Sequence, residues 1–159
     1  MTITGVTGDE THAWNALLLD GQYYLMDATW GNGQYYNGAD SEKYIDYAFL
    51  NTTSEALSSD HVATCGYYVP ECSAIEDNYF VREGLYFDEW DEEAIGIAIS
   101  NGYYNNVSRV SAKFSDASVY QAALSIFFEG GRLADYCEGI TRIKYLTNPE
   151  RGIITVIYD

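Results

Sequence analysis

Two largely apolar runs, residues 11–19 and 22–30, meet at Asp20-Gly21. Asp-Gly is a strong signal for a two-residue hairpin turn, because both central residues need positive φ. The turn sets a register: Leu19 opposite Gln22, Trp14 opposite Asp27 and His12 opposite Thr29. Side chains alternate faces along a strand. His12, Trp14, Ala16 and Leu18 therefore share a face with Thr29, Asp27, Leu25 and Tyr23. His12 and Asp27 become diagonal neighbours, about 7 Å apart between backbones and closer between side chains. An imidazole and a carboxylate can hydrogen-bond across that distance.

The remaining pattern divides the chain in two. Residues 2–7 (T-I-T-G-V-T) read as a strand, joined to the hairpin by a tight polar connection at 8–11. Residues 31–40, rich in Gly and Asn, read as a loop, and residues 43–50 as a strand or a short helix. Thr53 offers an N-cap for a short helix to Leu57. An irregular stretch runs from Asp60 to Asn78, and 79–87 reads as a short pair of strands. Composition changes at Asp88. Asp91-Glu92-Glu93 opens a helix expected to stop at Asn101-Gly102. Residues 106–114 alternate as a strand. Ser115-Asp116 caps a helix over 117–129, stopped by Gly130-Gly131. Residues 133–138 suit a short helix. The β-branched runs 140–146 and 152–158 form a hairpin around T-N-P-E-R. The expected fold class is α+β: an antiparallel sheet in residues 1–87 and a small α+β appendage in 88–159, with the boundary near 86–91.

Charge narrows the partners. The chain of 159 residues carries a formal charge of −16, with a pI near 4.1. No cluster of Lys and Arg exists to release counterions, which argues against nucleic acid and anionic membrane. Cationic partners, such as amine- or lysine-bearing peptides, remain compatible. No apolar run is long enough to span a bilayer, and no signal peptide is present. The 16 tyrosines in an acidic, Lys-poor chain fit an exported bacterial protein, extracellular or at the cell surface. Cys65, Cys72 and Cys137 make an odd count and no closed disulfide framework, although Cys65 and Cys72 are close enough in sequence to bridge. No Cys/His pattern has zinc-ligand spacing, so neither a metal nor another cofactor is expected. His61 has no motif around it and reads as a surface or structural histidine.

The His12–Asp27 pair supports two readings. One is a buried polar pair satisfying itself within a sheet. The other is the base and orienter of a nucleophilic triad, in which the carboxylate fixes the imidazole tautomer. The residues H-A-W-N, a D-G turn and then Y-L-M-D-A-T-W-G closely resemble the transglutaminase-like superfamily, found in bacterial transglutaminase-like and related cysteine-peptidase domains. In that family the order is Cys, His, Asp, with the Cys opening a helix and the His and Asp on successive strands. The resemblance covers roughly the first half of the chain. It implies a papain-like core, His12 and Asp27 as catalytic residues, and Trp14 and Trp30 as substrate-binding aromatics. It also implies thiol-mediated acyl transfer or hydrolysis at peptide or protein amides.

The family nucleophile lies upstream of the histidine, and residues 1–11 hold no Cys. The chain thus looks like a transglutaminase-like domain without its N-terminal, nucleophile-bearing part, inactive alone. Tyr136-Cys137-Glu138-Gly139 resembles the nucleophile motif, as in a circular permutation. The β-branched residues and Asn148-Pro149 that follow oppose the long helix it would need. The competing expectation is a non-catalytic module that binds peptide or cell-wall material, or one whose hairpin is purely structural. With no helical part packed on it, the face holding Trp14, Ala16, Leu18, Tyr23 and Leu25 needs cover, from a homodimer or from the C-terminal appendage.

Overall fold

In the computed structural model, which describes residues 1–37 and 40–158, Asp20 and Gly21 adopt φ of 47° and 84°. The expected turn therefore forms, and it fixes the register between β2 (Glu10–Leu19) and β3 (Gln22–Met26), from Leu19 opposite Gln22 to Asn15 opposite Met26. β1 (Thr2–Thr7) pairs antiparallel with the other edge of β2. The ladder of β3 ends one residue short of Asp27. The expected pairings of Trp14 with Asp27 and His12 with Thr29 are therefore not made as strand pairs. Asp27 instead opens a turn, its Oδ1 accepting the backbone N–H of Thr29 at 2.8 Å and of Trp30 at 3.1 Å. A short polar side chain that satisfies local amides competes with the ladder and wins here.

The chain is α+β and divides into two compact units, Met1–Tyr79 and Phe80–Asp159. The first unit holds a four-stranded sheet in the order β3-β2-β1-β6, β6 being Val62–Ala63, and a two-stranded hairpin, β4 (Asn32–Asn37) with β5 (Asp40–Ile45). That hairpin corrects the loop expected over 31–40. Gly and Asn content misled because alternate pairing, not propensity, holds these residues; residues 38 and 39 lie outside the described ones. The strand-or-helix segment over 43–50 is divided between the end of β5 and a 3-10 turn, Tyr47–Phe49. α1 (Ser54–Leu57) has the expected cap, Thr53 accepting the Ala56 N–H at 3.1 Å.

The pair of strands expected over 79–87 is not formed. Residues Tyr79–Arg82 make a helical turn, α2, closed by Gly84 at φ 67° with the Leu85 N–H on the Phe80 carbonyl. β7 (Tyr86–Phe87) pairs parallel with β8 (Arg109–Phe114). Because β7 joins the second sheet, the division between units falls at Tyr79/Phe80, ahead of the 87/88 boundary expected from composition.

The second unit orders its sheet β7-β8-β10-β9, with β9 Ile143–Asn148 and β10 Ile153–Tyr158. α3 (Glu92–Tyr104) starts on Asp91 as expected but runs through Asn101-Gly102. Gly102 is there for proximity: a Cβ on it would lie 2.1 Å from Val110 Cγ2. The helix stops at Asn105-Asn106, the latter at φ 56°. α4 (Ala117–Ala123), capped by Asp116, continues as a π-helical turn over Leu124–Glu129. A 3-10 turn, Arg132–Tyr136, stands where the short helix at 133–138 was expected. The core is apolar: Ile95, Ile99, Ala112, Phe114, Ala123, Phe127, Leu133, Ile154 and Val156 are among its buried members. No helix among the described residues is long and apolar enough to cross a membrane.

Candidate functional site

β2 carries His12 opposite Gly5 of β1, and Gly5 also pairs with Ala63 of β6. A Cβ on Gly5 would meet the Val62 carbonyl oxygen at 2.1 Å and the Trp14 ring at 2.7 Å. Glycine inside a strand commonly marks such a close approach. Here it lets β6 lie down beside β1 with the Trp14 ring over the junction. The residue entering β6 is His61. Its backbone N–H bonds the Leu57 carbonyl at the end of α1, 2.9 Å away. The cap on Thr53, the turn of α1 and the pairing of β6 thus aim the second histidine of the chain at the first.

The three side chains converge. Asp27 Oδ2 lies 2.5 Å from His12 Nε2 and 2.9 Å from His61 Nε2. With Oδ1 held by the Thr29 and Trp30 amides, the carboxylate has four partners, its full acceptor capacity. Asp27 is 1 % exposed. Burial alone would raise its pKa, but the hydrogen bonds of His61, His12 and the Trp30 backbone together hold it below the ordinary value of 3.8. Asp27 is therefore an ionised acceptor, and the ring nitrogens facing it carry the protons. His12 donates from Nε2, which leaves its Nδ1 lone pair unprotonated in the neutral ring.

His61 is not at the surface. Its ring is buried, and its Nδ1 lies 2.5 Å from Asp60 Oδ1. Both ring nitrogens face carboxylate oxygens, so each contact requires a proton between the pair. Aromatic rings wall the cluster. Trp14 and Trp30 stand edge-on to His61, with centroids 5.0 and 4.9 Å away, and Phe49 backs Trp30 at 5.5 Å. Apolar walls make an unpaired charge here costly.

The expected His12–Asp27 contact is made, on the shared face that the Asp-Gly register implied. Trp14 and Trp30 both border it, but differently. Trp14 is 4 % exposed and packs against His61, offering little surface to a ligand, whereas Trp30 is 37 % exposed. Of the face expected to need cover, Trp14, Ala16 and Leu25 are buried within the single chain, and Leu18 and Tyr23 are exposed. The cysteines lie elsewhere. Cys65 Sγ faces the Tyr67 carbonyl and Cys72 Sγ the Pro70 carbonyl. All three are free thiols. Cys137 is buried in the core of the second unit, where desolvation pushes its thiol pKa up. That is the opposite of what a thiolate nucleophile needs.

Sequence reasoning missed His61 as a member of the site. A signal was present: a buried aspartate needs more donors than one imidazole supplies, and the chain holds only two histidines. Comparison with protein-family models and with curated proteins finds no match for this chain.

Proposed function

We propose that residues 1–79 are the base-bearing part of a transglutaminase-like domain that transfers or hydrolyses acyl groups at peptide or protein amides. The observation that supports this reading is the His12–Asp27 pair, with Nε2 donating to a buried carboxylate and Nδ1 left as the base. A thiol loses its proton to Nδ1, and the thiolate attacks the amide carbonyl. The imidazolium returns the proton to the leaving amine, and the thioester passes its acyl group to an amine or to water. Asp27 holds the ring in one tautomer and stabilises its cationic form. In this reading the nucleophilic cysteine comes from outside residues 1–159, since none of the three thiols contacts His12 among the described residues. Trp30 is the aromatic that meets substrate.

The test joins the chain to its own upstream coding sequence and measures labelled-amine incorporation into a glutamine-bearing peptide, alongside peptide-amide cleavage. The joined protein is expected to be active, and His12→Ala, Asp27→Ala or loss of the upstream Cys to abolish activity. The chain alone is expected to be inactive. Activity indifferent to His12→Ala would overturn the reading, as would thiol-dependent activity of the chain alone that Cys137→Ala removes. An upstream sequence with no Cys-bearing helix would favour a second reading, a peptide- or cell-wall-binding module. Leu18 and Tyr23, exposed cross-strand partners, support that one, and also a homodimer through the same face. Light scattering at micromolar concentration checks the dimer.

A further inference from the structure

His12, Asp27 and His61 each offer one ligand atom, and the three atoms lie within 4.8 Å of one another, with both Nε2 atoms on Asp27 Oδ2. Two imidazoles and one carboxylate make a donor set of borderline softness, suited to a first-row dication such as zinc. The surroundings supply what such a set needs. His61 Nδ1 bonds Asp60, the arrangement in which a carboxylate orients a metal-binding imidazole from behind and raises its basicity. Asp27 is held at its other oxygen by two backbone N–H groups, and the Trp14 and Trp30 rings fix the plane of His61. His12 stands on the more open side, its side chain 14 % exposed against 1 % for His61.

We propose that His12, Asp27 and His61 form a zinc-binding site, with Asp60 as the positioning residue behind His61. Zinc bonds of about 2.1 Å at tetrahedral angles need donor atoms about 3.4 Å apart. The present contacts of 2.5 and 2.9 Å reach that spacing when both rings move off Asp27, His12 by about 0.9 Å and His61 by about 0.5 Å. The ion takes the place of the two Nε2 protons that face Asp27. One proton moves to His12 Nδ1, and the other leaves to solvent. Three protein ligands leave the fourth position to water. The site stands on these four side chains and does not depend on acyl transfer. Zinc bound there occupies the nitrogen that His12 otherwise gives to Asp27, so metal and the base role exclude one another.

The experiment titrates chelator-treated chain with zinc chloride in excess magnesium, which occupies the many surface carboxylates. Calorimetry gives stoichiometry and affinity, and ring nitrogen NMR of the unsubstituted chain reports both histidines directly. One zinc per chain is expected, with the Nε2 resonances of both rings moving from protonated to metal-bound positions. His12→Gln and His61→Gln are each expected to weaken binding about a hundredfold or more, and Asp60→Asn about tenfold. Cys65→Ser is expected to leave it unchanged. No saturable uptake, uptake with either Nε2 unmoved, or uptake lost only in Cys65→Ser would each overturn the site. Zinc uptake, with a joined protein inactive even in its chelated, metal-free form, would leave this site standing and remove the acyl-transfer reading; the reverse result would do the opposite.

Discussion

At the centre of residues 1–79, Asp27 is 1 % exposed and all four of its acceptor positions are filled by nitrogen donors. At the centre of residues 80–158, the least exposed side chains include Ile95, Ile99, Ile154 and Val156, which carry no polar atom. The buried polar residues described there are Ser100 and Thr155, the first bonding the Ile97 carbonyl one turn back and the second the Ser111 hydroxyl on the neighbouring strand. Both units are small sheets backed by short helices, yet one is held by directional contacts to a charge and the other by area. A core of the second kind tolerates shifts and pH changes. The first kind is specific in geometry, fails when one partner is lost, and is where chemistry can be done.

Asp27→Ala sharpens that contrast most. It leaves two imidazoles and two backbone amides without their shared acceptor. Breaking a buried ion pair from one side costs about 3–5 kcal/mol. The cost depends on pH. Because the folded carboxyl is held below its ordinary pKa, its contribution is complete above the unfolded value, about 3.9, and is lost as pH falls through the folded value. Denaturant unfolding followed by tryptophan fluorescence is expected to show the full gap between native and variant at pH 7. The gap should close as the solution is made more acidic than the ordinary carboxylate range. A gap that persists there would mean that Asp27 acts by packing rather than by charge.

Ile154→Ala is the counterpart in the other unit. Ile154 is fully buried on β10, and truncating it leaves a cavity costing about 2–5 kcal/mol. No titrating group is involved, so amide exchange across β8 and β10 should accelerate equally at neutral and acidic pH. A pH-dependent loss would show that the apolar unit leans on a charge after all.

Gly102→Ala tests close packing by addition. The new methyl would meet Val110 Cγ2 at 2.1 Å and Tyr158 Cε2 at 3.3 Å, costing about 1–3 kcal/mol by overpacking. Pairing it with Val110→Ala is expected to recover part of the loss, measured as coupling in a double-mutant cycle.

These same residues mark how far the sequence could be read. The Asp-Gly turn specified register because only positive φ at both positions closes a two-residue hairpin, and register then placed His12 beside Asp27. Caps at Thr53, Asp91 and Asp116 were legible because each satisfies amides within three residues. Gly102 was read as a stop because local rules assign Gly to helix ends. Its actual reason is a neighbour on β8, which local pattern does not contain. β4 was hidden in the same way, since Gly and Asn carry no strand propensity and the pairing supplies the order, whereas the end of β5 fell within the segment read as a strand or short helix. His61 was lost for the strongest version of this reason. It lies 34 residues from Asp27 and reaches it only through α1 and β6, a four-residue helix and a two-residue strand.

The smallest effect concerns that route. Thr53 and Asp91 each cap a helix, α1 of four residues and α3 of thirteen, and replacing either by Ala costs about 1 kcal/mol. The consequences should differ in place rather than size. α3 has twelve further residues and a buried face to hold it, so Asp91→Ala frays one turn and moves nothing at a distance. α1 has no second turn. Its Leu57 carbonyl receives the N–H of His61 at 2.9 Å and of Asp60 at 3.2 Å, so loosening the cap loosens the residues that aim the imidazole at Asp27. Thr53→Ala is therefore expected to broaden or shift the His61 ring resonances while leaving those of His12, anchored in β2, nearly in place. Asp91→Ala, with a similar loss of stability, should leave both rings unchanged. Equal perturbation of His12 and His61 by Thr53→Ala would indicate that the cluster moves as one body, held by Asp27 rather than by α1.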